Sequence, residues 1–148
     1  MMLGLIPEQT KAISEMVRVL RPNGILALCT HGPEYYREAI ETGLRVMTAR
    51  YFLGYRFEYW PRTEIEINNM LQKNKLKNVR TERVTWTDRF DSGTDTFEFY
   101  AATTSLWWYA QIPADFRENE TAKTRKTFDL EGVTQITSDV VFAYGRKA

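Results

Sequence analysis

The sequence predicts an α/β fold, and three patterns along the chain support this prediction. The first is a helix that ends at a Pro-Asn-Gly turn and leads into the apolar run Ile25 to Thr30. The second is residues 79–90, in which apolar and polar side chains alternate as in a strand. The third is the apolar segment Ser138 to Tyr144. A helix, a short turn and a strand that is apolar on both faces are typical of a parallel sheet with helices on both sides.

The composition indicates one soluble domain covering residues 1–148. With 43% hydrophobic residues the chain can bury a core, and 20 basic against 19 acidic residues give no field that favours nucleic acid or an acidic membrane. One cysteine and one histidine exclude a disulfide framework and a Cys/His zinc cluster. No apolar run reaches the roughly 20 residues that span a bilayer, and no signal peptide is visible. We therefore expect a cytoplasmic protein.

The first helix follows Pro7. Ile13, Met16, Val17 and Leu20 recur at i, i+3, i+4 and i+7, so they form one apolar stripe that should face the core.

A second helix is predicted to begin at Thr63. Glu66, three residues on, completes a capping-box pattern, and Ile67, Met70 and Leu71 form the apolar stripe. In the strand pattern that follows, Val84, Trp86 and Phe90 share one face, and the other face is more polar.

Three further segments have helical character. Residues 33–60 are rich in aromatic residues and arginine, with a break near Gly54, and resemble an inserted cover. Residues 97–113 carry apolar side chains at helical spacing. Residues 114–132 form a polar, charged segment that should be a solvent-facing helix closed by Gly132 as a C-cap.

The order of these elements, together with "EMVRVLRPNGILAL", resembles the C-terminal half of a class I S-adenosylmethionine-dependent methyltransferase of the small-molecule, single-domain type. The resemblance implies that Ile25 to Thr30 is the fifth strand and that residues 79–90 are the sixth. Residues 138–144 would be the seventh, antiparallel between them, and "MMLGLIP" matches the end of the fourth. The implied fold is the C-terminal half of a Rossmann-like sheet, strands four to seven with the last antiparallel, and with helical inserts.

Members of this family hold S-adenosylmethionine with a glycine-rich turn after their first strand. Here the glycines stand at 4, 24, 32, 43, 54, 93, 132 and 145, so no two are separated by a single residue and no G-x-G turn exists. The resemblance therefore implies a partial domain without the N-terminal cofactor-binding half. Such a chain, a piece of a longer enzyme or a shortened one, should be inactive alone, and no cofactor-binding residue can be assigned.

Six residues are candidates for contact with a methyl acceptor. His31 follows the fifth strand at the carboxyl end, where ligands of open α/β sheets bind, and could deprotonate or orient the acceptor; a loop histidine that bonds to backbone is the alternative. The resemblance places aromatic residues of the two inserts over the same end, as walls for a flat or apolar acceptor, although core packing explains such stripes equally well. These are Tyr35, Tyr36, Trp60, Trp107 and Trp108.

Asp88, Asp91 and Asp95 form a loose acidic set that fits no calcium motif, so a solvated turn is expected and no metal site is predicted.

The expected partners are a small-molecule methyl acceptor and a polypeptide that covers the inner boundary of the half-domain. That cover would be a second copy, a separately encoded N-terminal half, or an exchanged strand. Neither nucleic acid nor membrane is expected as a partner. The alternative function is a non-catalytic α/β ligand-binding or protein-interaction module derived from the same fold, which would bind an apolar ligand and ignore the cofactor.

Overall fold

The computed structural model of the chain describes residue 6 and residues 8–46 and 63–148. It contains five α-helices and three strands within that part of the chain. In chain order these are α1 (Gln9–Val19), β1 (Ile25–His31), α2 (Arg37–Val46), α3 (Glu64–Lys73), β2 (Leu76–Arg89), α4 (Gly93–Gln111), a 3-10 turn (Ala114–Phe116), α5 (Arg117–Leu130) and β3 (Gln135–Lys147). The α/β prediction is confirmed.

The three strands form one sheet in the order β1-β3-β2. β3 pairs antiparallel with β1, from Ile25 opposite Arg146 to His31 opposite Val140. The last strand therefore lies antiparallel between the other two, as the resemblance implied. The parallel pairing expected from the helix-turn-strand pattern is not found between neighbouring strands of the described residues, because β3 separates β1 from β2. The proposed fourth strand falls on residues 1–7, almost all of them outside the described residues.

The described residues divide into two compact units. The first takes its residues from within 1–35, 56–85 and 139–148, and the second from within 36–55 and 86–138. The expectation of a single domain over 1–148 stays a prediction.

The first unit buries one face of the sheet against α1 and α3. Its core consists of Ile13, Leu26, Ile67, Leu71, Leu76, Val141 and Ala143. Of the stripe predicted for α1, Ile13 is fully buried and Val17 and Leu20 pack against the core, but Met16 is exposed. The stripe is therefore narrower than the spacing indicated.

The capping box of α3 is confirmed. The Thr63 hydroxyl accepts the Glu66 backbone N–H at 3.2 Å, and the Glu66 carboxylate accepts the Thr63 N–H at 2.8 Å. Together they satisfy two backbone donors that a helix start leaves open.

The second unit contains α2, α4 and α5, and α5 packs on α4. The predicted solvent-facing helix is only partly correct. One face of α5 is buried, the face that carries Glu120, Thr124 and Phe128. The Phe97 and Phe128 rings meet edge to face at 5.4 Å. The predicted C-cap is confirmed: Gly132 has a φ of 62° just beyond the helix end, a conformation that glycine adopts without strain.

Two strand predictions need correction. β1 was expected to be covered on both faces, but its residues are buried on one face only, the one that carries Leu26 and Thr30. On β2, Val84 and Trp86 were expected on a covered face, and both are exposed. Each strand thus carries apolar side chains that the described structure leaves in contact with solvent.

Candidate functional site

The candidate site lies at the carboxyl end of β1, which ends at His31. The His31 imidazole stacks on the Tyr35 ring with a centroid distance of 3.7 Å and an angle of 18° between the planes. Burial lowers the pKa of His31 to about 4, because the charged imidazolium loses its hydration there. At neutral pH His31 is therefore an uncharged imidazole, held in a fixed orientation by an aromatic neighbour.

The turn that connects His31 to Tyr35 is held by backbone hydrogen bonds. The Gly32 N–H donates to the Asp139 carbonyl at 2.9 Å, and the Tyr35 N–H donates to the Gly32 carbonyl at 3.2 Å. The Glu34 N–H donates to the Asp139 carboxylate at 2.7 Å. The turn is thus fastened at both ends to one residue of the central strand.

Asp139 is a fully buried carboxylate that Arg83 neutralises from β2. Arg83 Nε lies 2.9 Å from Oδ1 and Nη2 lies 2.7 Å from Oδ2, which is the bidentate geometry of a strong ion pair. These hydrogen bonds raise the pKa of Arg83 above its already high value. Both carboxylate oxygens are occupied, so Asp139 has a structural part in the site and offers no free base.

Position 32 accepts only glycine, because any side chain there would collide with the Asp139 carboxylate. A Cβ at position 32 would lie 2.3 to 2.5 Å from the carboxylate atoms of Asp139. Real side chains never approach so closely, so any other residue at 32 would force the turn away from Asp139.

Tyr36 belongs to the second unit and is 5% exposed. Its ring packs against Phe99 at 6.0 Å and Tyr100 at 6.3 Å, and its N–H donates to the Thr137 carbonyl at 2.7 Å. Of the candidate residues, the structure brings His31 and Tyr35 together and places Tyr36 in an aromatic core. The part of Tyr36 in a substrate wall stays a prediction.

The other three candidates cannot be placed. Trp60 lies outside the described residues, and the side chains of Trp107 and Trp108 on α4 do as well.

A second polar contact lies in the second unit, at the start of α2. Thr137 donates to the Glu38 carboxylate through its hydroxyl at 2.6 Å and its N–H at 2.9 Å. Burial alone would raise the pKa of Glu38, but the hydrogen bonds from Thr137, together with the Glu38 backbone N–H and the charge of Arg37, outweigh it and the pKa is lowered. Glu38 is therefore a bound anion that ties α2 to β3.

Two aspartates of the acidic set accept hydrogen bonds from serine hydroxyls. Asp88 accepts the Ser138 hydroxyl at 3.1 Å, and Asp95 accepts the Ser92 hydroxyl at 2.7 Å where α4 begins. Among the residues that the structure describes, no three His, Cys, Asp or Glu side chains are grouped to hold a metal ion. Within the same residues, no helix has both the length and the apolar character to cross a bilayer.

Sequence reasoning missed three residues of this site: Gly32, Arg83 and Asp139. A signal for Asp139 was present, because an aspartate inside an otherwise apolar strand must find a partner when it is buried. The partner itself could not be read from the sequence, since Arg83 is one of several arginines on an alternating strand.

Comparison with solved structures shows the fold to which this chain is similar. A protein from Bacillus halodurans C-125, named as a candidate methyltransferase, matches 98% of this chain with a TM-score of 0.54 at 14% identity. The YcgJ protein from Bacillus subtilis matches the same share with a TM-score of 0.51 at 16% identity. A Haemonchus contortus phosphoethanolamine N-methyltransferase, solved with S-adenosylhomocysteine, matches with a TM-score of 0.43 at 12% identity.

No protein-family model and no curated protein matches the chain. The chain spans 60% of the length of each of the two Bacillus proteins. It therefore has a methyltransferase-like α/β fold over almost its whole length, and it corresponds to part of those longer chains.

The described residues do not by themselves fit an S-adenosylmethionine site. The glycine spacing provides no G-x-G turn, and the buried carboxylate of Asp139 is taken up by Arg83 and the Glu34 N–H. A cofactor site would need groups beyond those described here.

Proposed function

We propose that this chain is the acceptor-side portion of an S-adenosylmethionine-dependent methyltransferase that acts on a small molecule. The observation that carries the proposal is the fold match of 98% of the chain to the two Bacillus proteins, one of which is named as a candidate methyltransferase. Because this chain spans 60% of each, the cofactor-binding part would come from additional polypeptide.

The pair His31 and Tyr35 is the proposed contact for the acceptor. Methyl transfer asks a protein mainly to align the acceptor with an already activated methyl group, so a rigid, partly apolar surface is sufficient machinery. A neutral imidazole can accept a hydrogen bond from an acceptor O–H or N–H. With a pKa of about 4 it is a weak base at neutral pH, so His31 would orient the acceptor and would contribute little to removing its proton.

Because the described residues offer no fitting site for S-adenosylmethionine, we expect the chain alone to bind neither this cofactor nor its demethylated product, S-adenosylhomocysteine. NMR titration of the ¹⁵N-labelled chain tests both halves of the proposal. We expect no shifts with S-adenosylmethionine or S-adenosylhomocysteine, and shifts around His31 and Tyr35 with at least one of a panel of small amines, phenols and carboxylates. His31→Asn and Tyr35→Ala should abolish the acceptor shifts, and Phe116→Ala, which removes an exposed ring elsewhere, should leave them.

Cofactor binding by the chain alone would show that it carries a site of its own and would overturn the division into two parts. Acceptors that shift no resonance near His31 and Tyr35 would overturn the acceptor-side assignment.

The alternative is a non-catalytic binding module, and one observation favours it: a face of the sheet in the first unit carries exposed apolar side chains, as binding surfaces do. Such a module would bind an apolar ligand or a protein on that face, with no effect of small acceptors at His31.

A further inference from the structure

The strands β1 and β3 are apolar on both faces. One face is covered, whereas the other is exposed at Ile25, Ala27, Phe142 and Tyr144 and buried only further along β3, at Val140. The register sets Leu26 opposite Gly145 and Leu28 opposite Ala143, and this face packs on the core of the first unit. Because side chains alternate along a strand, the residues between these point to the opposite side.

We call that opposite side the outer face. It carries Ile25, Ala27 and Cys29 of β1, Phe142, Tyr144 and Arg146 of β3, and Arg80, Glu82 and Val84 of β2. Ile25 is 56% exposed, Phe142 43% and Tyr144 40%. A contiguous group of exposed aliphatic and aromatic side chains marks an interaction surface, since leaving it in water costs free energy.

The composition of the outer face is that of a protein interface. Aromatic residues and arginine are enriched at the centres of interfaces, and acidic residues and lysine are depleted there. The outer face carries two aromatic residues, two arginines and a single acid, Glu82, with no lysine.

The outer face is also complementary to itself. A hollow of about 340 Å³ lies at one end, lined by Ile25, Arg80, Tyr144 and Arg146 among others. Phe142 lies on the same side of β3, two residues before Tyr144, and is 43% exposed. A surface that carries both an exposed ring and a hollow can pair with an identical surface across a two-fold axis, with each ring entering the partner's hollow. Arg80 and Arg146, which line the hollow, would then lie near an aromatic ring of the partner, which is a favourable contact.

The charges permit the same pairing. Arg80 and Glu82 are opposite in sign and two residues apart on one face, so two copies can meet with each arginine near the partner's glutamate. The whole chain has a net charge of +1, so almost no repulsion keeps two copies apart.

We propose that a second copy of this chain docks on the outer face, with the two faces related by a two-fold axis. This inference does not depend on the proposed methyltransferase function, because it rests on burial, register and charge alone.

Analytical ultracentrifugation of the full chain between about 1 and about 100 µM tests the proposal. We expect a monomer–dimer equilibrium. Phe142→Lys and Tyr144→Glu should each weaken dimerisation by roughly 30-fold or more, because they place a charge in the buried centre of the interface. Leu130→Lys, at a position 76% exposed on α5, is the matched control and should dimerise like the wild type. Far-UV circular dichroism checks that each variant is folded.

Cys29 provides a second readout, since it is the lone cysteine of the chain and lies on the outer face. Its reaction with an aromatic disulfide reagent should slow as the protein concentration rises in the wild type and in Leu130→Lys, but not in Phe142→Lys.

Two results would overturn the proposal. A wild-type chain that stays monomeric at about 100 µM would mean that the outer face accepts a different polypeptide. A dimer that survives both Phe142→Lys and Tyr144→Glu would mean that the copies meet elsewhere, for example by exchange of an edge strand.

Discussion

Arg83 and Asp139 meet in a bidentate ion pair, with Nε 2.9 Å from Oδ1 and Nη2 2.7 Å from Oδ2. The carboxylate is fully buried, whereas the arginine keeps about a third of its side chain in solvent. The pair joins β2 to β3, and the same carboxylate accepts the Glu34 N–H of the turn after β1. One buried charge therefore fixes three segments at the end of the sheet where His31 lies.

Loss of Arg83 should destabilise the chain strongly. Arg83→Gln leaves the Asp139 carboxylate buried without a countercharge, and we expect the free energy of unfolding to fall by about 3 kcal/mol. Asp139→Asn should cost less, because it removes the charge itself, and the double variant should be more stable than the sum of the two losses predicts. Urea unfolding of all four proteins measures the coupling energy, which we expect to exceed about 1 kcal/mol. A coupling near zero would mean that the pair adds nothing to stability.

Substitution of Gly32 should be costly for a steric reason. The new Cβ of Gly32→Ala would overlap the Asp139 carboxylate at 2.3 to 2.5 Å, so we expect a loss of about 2 to 3 kcal/mol and a lower Tm. Gly132→Ala is the control: nothing lies within 4 Å of its Cβ, and only its φ of 62° opposes alanine, at about 1 kcal/mol. The explanation fails if Gly32→Ala costs as much when Asp139 is also replaced by alanine.

Local patterns predicted the helices well. The capping residues Thr63 and Glu66 and the stripe of Ile67 and Leu71 are properties of neighbouring residues, so a short window of sequence contains them. The Pro-Asn-Gly turn before β1 and Gly132 after α5 are equally local signals. In these places the helix caps and turns are formed by interactions between residues close together in the sequence.

Burial was predicted less well, because it depends on which element covers which. The sequence of α5 is so polar that it did not predict a buried face, yet Thr124 and Phe128 are buried on the side that packs on α4. Met16 fits the apolar stripe of its helix and Val84 the apolar face of its strand, but both side chains are exposed to solvent. The Arg83–Asp139 pair joins residues 56 positions apart, and only the strand order brings them together. His31 was found from its place after a strand, but its low pKa follows from burial.

His31 should make the stability of the chain depend on pH. Its folded pKa of about 4 lies below the unfolded value of about 6.5, so the unfolded state binds the proton more readily. Stability should therefore be complete above pH 6.5 and fall progressively between pH 6.5 and 4. His31→Asn should lose less stability than the wild type between pH 7.5 and 5, as measured by urea unfolding. Equal losses in the two proteins would contradict the lowered pKa, which NMR titration of the imidazole measures directly.

Thr137 should control the ionisation of Glu38. Thr137→Val removes the 2.6 Å hydroxyl hydrogen bond to the carboxylate, but burial still disfavours the charge, so the pKa of Glu38 should rise. In the wild type, the lowered pKa stabilises the fold above the unfolded pKa of Glu38, and this contribution is lost as the pH falls through the folded value. The variant should therefore be less stable at pH 7 by about 1 kcal/mol, with a smaller difference at pH 3. Thr127→Val is the matched control, because its hydroxyl bonds only to a helix carbonyl on an exposed face. NMR titration of the Glu38 carboxyl carbon follows the change, and an unchanged pKa in Thr137→Val would show that the backbone N–H of residue 137 suffices to hold the anion.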